Sequence, residues 1–495
     1  MSEKRIVVIG AGIGGLAAAL RLAARGLDVT LVERTAFPGG KIRQVMVGAA
    51  AMDAGPTVVT MRPVFEELFA YAGTSLDAHV TLRRADILAR HAWSEDERLD
   101  LYADLECSAD AIGRFAGVKQ ALLFRAFCAR ASDMYRTLEQ AFIHRANPTP
   151  LSLVLDSGLF NVARLRPYST LWRDLGRYFP DQRLRQLFGR YATYVGSSPF
   201  QAPPTLGIVA HVELAGVWMI DGGTYRLPQA LAALAAARGV RFRYGIDVCA
   251  IDVSRGRARS VQLSNGECLE ADGIVCNADV ATLAAGLFGP NVKRAARATP
   301  VASRSLSAVT WNLYTRTTGL PLVRHNVFFC RNYAAEFDAI FKRGRLPDEA
   351  TVYICAQDRD DLGNLSVDGR ERLLCLVNAP PRGDQKPFDS VEITTCEENT
   401  VKLLARCGLN LAWQPESAVV TTPMQFNRMF PATGGSLYGR ASHGWRGPFS
   451  RSGARSRVPG LYLVGGSVHP GPGMPMAAIS GRLAAEAVLQ DLTSV

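Results

Sequence analysis

The beginning of the chain alternates between short apolar runs and small or polar residues, in the order of a strand, a turn, a helix and a second strand. The run 5–9 (RIVVI) is nearly all β-branched, which favours a strand buried on both faces. It leads into the glycine-rich turn 10–15 (GAGIGG) and an alanine- and leucine-rich helix predicted over about 14–25. Gly26 ends this helix, and the strand 28–33 (DVTLVE) follows. The pattern predicts a βαβ unit of an α/β fold.

The turn and the acid that ends the second strand predict a dinucleotide-binding site. In the G-x-G-x-x-G arrangement, Gly10 makes the tight turn and Gly12 lets backbone approach a pyrophosphate. Gly15 lets the helix lie close to the strand, and the phosphate lies at the helix N-terminus beside Gly14. Glu33 suits the hydroxyls of a ribose, which disfavours NADP. The motif does not separate NAD from FAD, and an ordinary glycine turn is the alternative to any such site.

Size and composition narrow the class of protein. The chain has 495 residues, enough for two or three domains. Its net charge is +11, but no basic stripe interleaved with aromatic residues is present, so we expect no nucleic-acid partner. Its ten cysteines have neither CxxC nor zinc-finger spacing, which predicts small buried hydrophobes in a reducing compartment and no metal. The N-terminus has no apolar leader, so we expect a cytoplasmic protein.

Two further segments carry residues suited to a nucleotide. The stretch 33–43 (ERTAFPGGKIR) places Gly40, Lys41 and Arg43 soon after the ribose-binding acid. Backbone freedom and positive charge there suit a second approach to the pyrophosphate, and a solvated turn is the alternative. Near the other end, 461–464 predicts a buried strand, followed by a glycine-rich turn and a helix over 474–492.

These segments resemble flavin amine oxidases and bacterial carotenoid desaturases. The resemblance is carried by DAGPTVV at 53–59, by GGTYRLPQ at 222–229, by ADGIVCNAD at 271–279 and by the turn GGSVHPGPG at 465–473. It implies FAD as cofactor, with the N-terminus of the last helix directed at the flavin. The FAD contacts expected from the motifs and the resemblance are Gly10, Gly12, Gly14, Gly15, Glu33, Arg34, Gly40, Lys41, Arg43, Gly55, Pro56, Thr57, Val248, Asn277, Gly465, Gly466, Gly473, Met474, Pro475 and Met476.

The family also implies the fold class and the domain organisation. We expect an α/β protein with a Rossmann-like FAD-binding domain of the amine oxidase and carotenoid desaturase type. That domain is assembled from 1–80, 215–290 and 415–495. An interleaved α+β substrate domain is built from 81–214 and 291–414.

Within the family, three stretches look most similar to the proteobacterial 1-hydroxycarotenoid 3,4-desaturases. They are GGKIR, MDAGPTVVTMRPVFEELF and LRQLFGRYATYVGSSPFQAP. The resemblance implies hydride transfer from a carotenoid to flavin, and leaves open whether oxygen, a quinone or another carrier reoxidises the flavin. The alternatives are a phytoene desaturase, an amine-oxidase-like flavoenzyme, a carotenoid isomerase, and a non-catalytic isoprenoid-binding chaperone of the GDP-dissociation-inhibitor type.

No catalytic base follows from sequence. His211, Glu213 and His325 are candidates, each with a structural role as the alternative, and water or the flavin itself could take the proton instead.

A basic segment with an aromatic face suggests contact with a membrane. Tyr168, Leu171, Trp172, Leu175, Tyr178 and Phe179 share one side of a predicted helix. Such a helix can lie in a membrane interface and pass an apolar substrate from lipid to protein, which would place the protein on the inner face of the cell membrane. A helix packed on the protein core is the alternative.

Overall fold

A computed structural model describes residues 4–359, 369–414 and 418–493, and one of its two large sheets is parallel throughout. Its five strands lie in the order Leu461–Leu463, Gly273–Cys276, Arg5–Ile9, Asp28–Glu33 and Arg241–Tyr244. The central strand is buried from Ile6 to Ile9, as its β-branched sequence predicts for a strand covered on both faces.

The predicted βαβ unit is confirmed. The helix Ile13–Ala23 joins the two strands and ends before Gly26, whose φ of +78° is readily adopted only by glycine. The helix packs on the last helix of the chain, Met474–Thr493. A Cβ at Gly481 of that helix would lie 2.6 Å from the carbonyl oxygen of Gly14. Glycine therefore permits the two helices to approach closely.

The second large sheet has seven strands and is mostly antiparallel. Its order is Ala418–Thr421, Ser307–Thr315, Glu371–Ala379, Val352–Ala356, His325–Phe328, Ile87–Ala92 and Arg98–Tyr102. The pairing of His325–Phe328 with Ile87–Ala92 is parallel, and the other pairs are antiparallel. The register aligns Thr310, Leu376, Tyr353 and Val327 in one row across four strands.

Smaller sheets and helices surround these two. The smaller sheets are Val248–Ser254 with Arg257–Leu263 and Cys268–Glu270, Gln44–Val47 with Ala50–Asp53, Leu82–Arg84 with Trp218–Ile220, and Thr317–Gly319 with Leu409–Leu411. The remaining α-helices are Arg62–Tyr71, Leu105–Ala116, Val118–Leu138, Pro150–Ser157, Leu159–Arg164, Leu171–Leu175, Gln182–Gly189, Ile208–Ala215, Arg226–Ala237, Val280–Ala285, Tyr333–Asp338, Ser390–Arg406 and Pro423–Met429. None of the helices within the described ranges is long and apolar enough to cross a bilayer.

The strands of the two large sheets come from alternating parts of the chain. The parallel sheet uses strands between 5 and 33, between 241 and 276, and at 461–463. The strand Ala418–Thr421 pairs with Ser307–Thr315 in the seven-stranded sheet, although 415–495 is expected in the FAD-binding domain. The domain boundaries themselves stay a prediction, and 360–368 and 415–417 lie outside the described residues.

The prediction of a long amphipathic helix over 168–179 is wrong. Only Leu171–Leu175 is α-helical, and Leu171 and Leu175 are buried in the core. Phe179 is fully buried, with its ring stacked on Phe188 at 4.5 Å. Most of this face packs against the protein itself, because neighbouring helices supply matching aromatic rings, and Tyr168 at its start is exposed.

The prediction of buried cysteines holds for seven of the ten. Cys107, Cys249 and Cys268 are exposed instead.

Replacing Phe179 with alanine should lower the free energy of unfolding by about 3–5 kcal/mol, because it leaves a cavity among stacked rings. Tyr168→Ala, in the same segment but 85% exposed, should change it by no more than about 0.5 kcal/mol. Urea unfolding followed by tryptophan fluorescence measures both. Similar small losses in the two variants would show that Phe179 does not contribute to the core.

Candidate active site

The two glycine-rich turns meet at the carboxyl ends of neighbouring parallel strands, around Asn277. A Cβ on Gly14 would lie 2.9 Å from the Asn277 side-chain oxygen and 3.0 Å from the Cα of Gly465. A Cβ on Gly12 would lie 2.6 Å from the Asn277 side-chain nitrogen. The backbone N–H of Gly465 donates to Ser480 Oγ at 3.1 Å, which ties the second turn to the last helix. Turns more than 450 residues apart in sequence thus form one site.

Glu33 holds the first turn in place from the end of its strand. The carboxylate is buried and accepts hydrogen bonds from the backbone N–H of Ala11 at 2.7 Å and from the Thr35 backbone N–H and hydroxyl at 2.9 and 2.8 Å. Because each carboxylate oxygen accepts about two hydrogen bonds, acceptor capacity is left for a ribose hydroxyl.

A cavity of about 970 Å³ opens from these turns. Its wall includes fifteen of the twenty residues predicted to contact FAD: Gly12, Gly14, Gly40, Lys41, Arg43, Gly55, Pro56, Thr57, Asn277, Gly465, Gly466, Gly473, Met474, Pro475 and Met476. Gly10, Gly15, Glu33, Arg34 and Val248 lie outside this wall. Of these five, Arg34 is exposed, and Val248 is buried in a cluster with Val32.

Positive charge is concentrated at the turn end of the cavity. Lys41 donates from Nζ to the carbonyl of Leu437 at 2.6 Å, and burial lowers its pKa. Arg43 donates to Thr421 Oγ1 at 3.0 Å, and burial lowers its pKa as well. Arg451 donates to the carbonyls of Tyr438, Gly466 and Arg440, and burial lowers its pKa to about 10. An anionic group placed here would be stabilised by all three cations.

The opposite part of the cavity is apolar. Its wall comes from the helices Val118–Leu138, Pro150–Ser157, Leu159–Arg164 and Ile208–Ala215 and from the segment around Phe449. Leu159 and Tyr168 belong to this wall and are also 71% and 85% exposed, so the cavity reaches the surface beside them. The space suits a long hydrocarbon that enters from outside.

Polar groups interrupt the apolar wall at two places. Tyr353 lies in the central row of the seven-stranded sheet, and its hydroxyl is 2.6 Å from Thr57 Oγ1 and 2.8 Å from His325 Nδ1. On a different wall, Glu213 accepts hydrogen bonds from the hydroxyls of Tyr191 and Tyr194, both at 2.7 Å.

The three candidate bases occupy different environments. Glu213 is buried and lies in the cavity wall. His211 lies three residues after the wall residue Ile208 and next to the wall residue Val212. It faces Tyr135 at 4.7 Å, and burial lowers its pKa. His325 lies behind Tyr353, and burial, aided by nearby arginines, lowers its pKa to about 3. The imidazole of His325 is therefore neutral at physiological pH.

Sequence reasoning did not find Arg451, Tyr353, Arg190 or Tyr194, although all four line the cavity. Arg451 lies in the loop before the last strand, and Tyr353 is an ordinary β-strand residue by sequence. Arg190 and Tyr194 lie within LRQLFGRYATYVGSSPFQAP, the stretch that carries the subfamily resemblance. The signal in the sequence was their i, i+4 spacing, which places two polar side chains near each other on a helical turn.

Comparison with known proteins places the chain in a family. Residues 13–489 match the profile of flavin containing amine oxidoreductases, so the chain belongs to that family. Hydroxyneurosporene desaturase of Rubrivivax gelatinosus is 54% identical over 99% of this chain and 94% of its own length. The protein of the same name from Cereibacter sphaeroides is 44% identical over 99% of this chain and 98% of its own length. The zeta-carotene-forming phytoene desaturase of Myxococcus xanthus is 32% identical over 98% of this chain and 94% of its own length.

Solved structures support the fold. An oxidoreductase from Methanosarcina mazei superposes with a TM-score of 0.60 at 15% identity, over 98% of this chain and 100% of its own. Cyclohexylamine oxidase from Brevibacterium oxydans superposes with a TM-score of 0.57 at 16% identity, over 99% of this chain and 100% of its own. The resemblance to bacterial carotenoid desaturases and the expected fold class are confirmed, and the chain is an FAD-dependent oxidoreductase.

The residues of this site fit FAD. The glycines around Asn277 leave no room for a Cβ, so backbone can lie against a flat ring or a pyrophosphate. Three cations lie in the same part of the wall, as an anionic diphosphate requires. The helix Met474–Thr493 begins at the cavity, and its N-terminal N–H groups favour negative charge there.

Gly14→Ala should lower the amount of FAD bound to the purified protein by about tenfold or more, equivalent to about 1.4 kcal/mol. The added methyl would push on Asn277 and Gly465. Visible flavin absorbance per protein chain measures the effect. Gly113→Ala is the matched control, because its Cβ would meet Ala121 at an ordinary 3.5 Å. Full flavin content in Gly14→Ala would show that this turn does not contribute to FAD binding.

Proposed function

We propose that this chain is a carotenoid desaturase that introduces a 3,4 double bond into a 1-hydroxycarotenoid as a step of carotenoid biosynthesis. The observation that carries the proposal is one continuous cavity, with the glycine turns at one part of its wall and an apolar opening at another. The identity of 54% to a hydroxyneurosporene desaturase over nearly the whole chain supports the substrate class.

We propose that the predicted residues hold FAD as their motifs imply. Gly12 and Gly14 approach the pyrophosphate, in a turn that Gly10 and Gly15 make possible, and Glu33 and Val248 contact the adenosine. Arg34, Gly40, Lys41 and Arg43 belong to the second approach to the diphosphate. The remaining contacts, to the flavin, are made by Gly55, Pro56, Thr57, Asn277, Gly465, Gly466, Gly473, Met474, Pro475 and Met476.

A new double bond requires the loss of one hydride and one proton from adjacent carbons. When bound, FAD supplies the two-electron acceptor for the hydride. The apolar walls hold the polyene and exclude water, and the wall of the seven-stranded sheet positions it through Thr310, Leu376, Tyr353 and Val327. Hydride loss next to the polyene is favoured because the positive charge that develops there is delocalised along the conjugated chain.

We also propose that the protein docks on a lipid bilayer through what we term the mouth patch, formed by Leu151, Leu155, Leu159, Phe160 and Tyr168. Each of these side chains is at least 69% exposed, and together they make up five of the twelve large apolar side chains found exposed among the described residues. Two of them also line the cavity, and the exposed Arg164 lies beside Phe160. An apolar patch with adjacent cations suits an anionic membrane surface and lets a carotenoid leave lipid without crossing water.

Expression in cells that accumulate either 1-hydroxyneurosporene or phytoene tests the activity. The hydroxylated pigment should gain one conjugated double bond, seen as a longer absorption wavelength and a loss of two mass units, and phytoene should stay unchanged. Cells expressing Gly14→Ala give the control. Conversion of phytoene would indicate a phytoene desaturase, an isomer of unchanged mass would indicate an isomerase, and no change in either pigment would refute the proposal.

The double variant Leu155→Asp/Phe160→Asp should reduce binding to vesicles of anionic phospholipid by at least about tenfold, because each buried apolar side chain contributes about 1.5–3 kcal/mol to such binding. Vesicle flotation measures the bound fraction. Val391→Asp, at an exposed valine on the helix Ser390–Arg406, is the matched control. Equal flotation of wild type and double variant would show that the mouth patch does not bind the membrane.

A further inference from the structure

Arg190, Tyr194 and Glu213 form a buried polar cluster in a wall that is otherwise largely apolar. Arg190 and Glu213 are each only 6% exposed, and all three residues line the cavity. The Arg190 guanidinium donates from Nη1 to the hydroxyl of Tyr194, and that hydroxyl donates to Glu213. A cluster of this kind costs desolvation energy and contributes nothing to holding a hydrocarbon.

The cluster has an unused donor and spare acceptors. Within the described ranges, Nη2 of Arg190 donates no hydrogen bond to the protein and is not among the enclosed unpaired atoms, whereas Nε is enclosed without a partner. Each carboxylate oxygen of Glu213 accepts one hydrogen bond from a tyrosine, at 2.7 Å, and can accept about one more. Buried polar groups are normally hydrogen-bonded, so a guanidinium with an open donor in a cavity wall indicates a ligand.

An alcohol complements this pair of groups. Its oxygen can accept from Arg190 Nη2–H while its own O–H donates to the carboxylate of Glu213, so both partners and the hydroxyl are satisfied at once. A carboxylate ligand would be repelled by Glu213, and an amine would be repelled by Arg190. The cluster therefore selects a neutral group that both donates and accepts.

The cluster is linked to the part of the cavity wall that carries the cations. Gly196, two residues after Tyr194, packs against Tyr438, where a Cβ would lie 2.5 Å from the ring. The carbonyl of Tyr438 accepts a hydrogen bond from Arg451. Tyr353, also in the wall, contacts Thr57, one of the predicted flavin contacts. A substrate whose hydroxyl is only a few bonds from the reacting carbons fits this arrangement.

We propose that Arg190 and Glu213 bind the terminal hydroxyl of the carotenoid and make the enzyme select hydroxylated substrates over the corresponding hydrocarbons. Tyr194 is a positioning residue that holds the two groups in place. The inference rests on the proposed desaturase function and extends it to the residues that determine specificity. A hydrocarbon end would leave a buried guanidinium nitrogen unpaired, and sites built to hydrogen-bond a substrate hydroxyl discriminate strongly against analogues that lack it.

The test compares kcat/KM for 1-hydroxyneurosporene and for 1,2-dihydroneurosporene, which has the same polyene without the hydroxyl. We expect the purified wild-type holoenzyme to favour the hydroxylated substrate by at least about 100-fold.

Two conservative variants probe the cluster. Glu213→Gln keeps the shape but removes the charge and one of the two oxygens that accept from the tyrosines, and Arg190→Lys keeps the charge beside Glu213 but removes the guanidinium donors. Each should lower the preference by about tenfold or more, through the hydroxylated substrate alone.

Glu336→Gln is the matched control. Glu336 is a second buried carboxylate, bonded to Thr351 and outside the cavity wall, and its substitution should leave the preference unchanged. Flavin absorbance of every variant confirms that the holoenzyme is folded.

The outcomes separate this inference from the proposed function. Wild type inactive on both substrates would refute the proposed function and the inference together. Wild type equally active on both would refute only the inference. An equal loss on both substrates in the variants would show that the cluster is merely structural, which also overturns it. A loss confined to the hydroxylated substrate supports it.

Discussion

The close packing of backbone around Asn277 is the constraint on which the rest of the site depends. Three segments that follow neighbouring parallel strands come together there. The two outer segments avoid a side chain at the contact by using glycine, and the middle one contributes Asn277. Because the carboxyl ends of parallel strands lie at one edge of the sheet, the topology of the sheet alone brings these segments together. The amide of Asn277 fills the space between them, and its Nδ2 lies 3.4 Å from the carbonyl of Gly10. Any ligand at this edge meets the backbone of the glycine turns as well as side chains such as those of Asn277 and Met474.

Much of this arrangement could be predicted from sequence because its signals are local. The β-branched run 5–9, the glycine turn and the terminal acid at Glu33 lie within one βαβ unit, and the structure has each in the predicted place. The last helix was predicted over 474–492 and spans Met474–Thr493. Fifteen of the twenty predicted FAD contacts lie in one cavity wall, and their contact with the cofactor stays a prediction.

Features that depend on long-range packing could not be predicted in the same way. The face formed by Leu171, Leu175 and Phe179 has the same sequence pattern whether it meets lipid or protein, and only the aromatic rings of distant helices decide between them. The polar cluster likewise joins residues about twenty positions apart on different helices. Arg190 and Glu213 look like ordinary charged residues until the fold buries them beside a cavity.

The path of the chain has a consequence for how this enzyme can be handled and how it can evolve. The backbone passes from the parallel sheet to the seven-stranded sheet and back twice, ending with the strand Leu461–Leu463 beside Gly273–Cys276. Neither sheet is therefore encoded by an uninterrupted stretch of gene, and a fragment that contains all seven strands of the second sheet also carries Arg241–Tyr244 and Gly273–Cys276 of the parallel sheet. Recombination that exchanges substrate preference between relatives must replace internal blocks, with both ends of the chain kept together. A ribosome-bound chain also cannot complete the parallel sheet until its final residues have emerged.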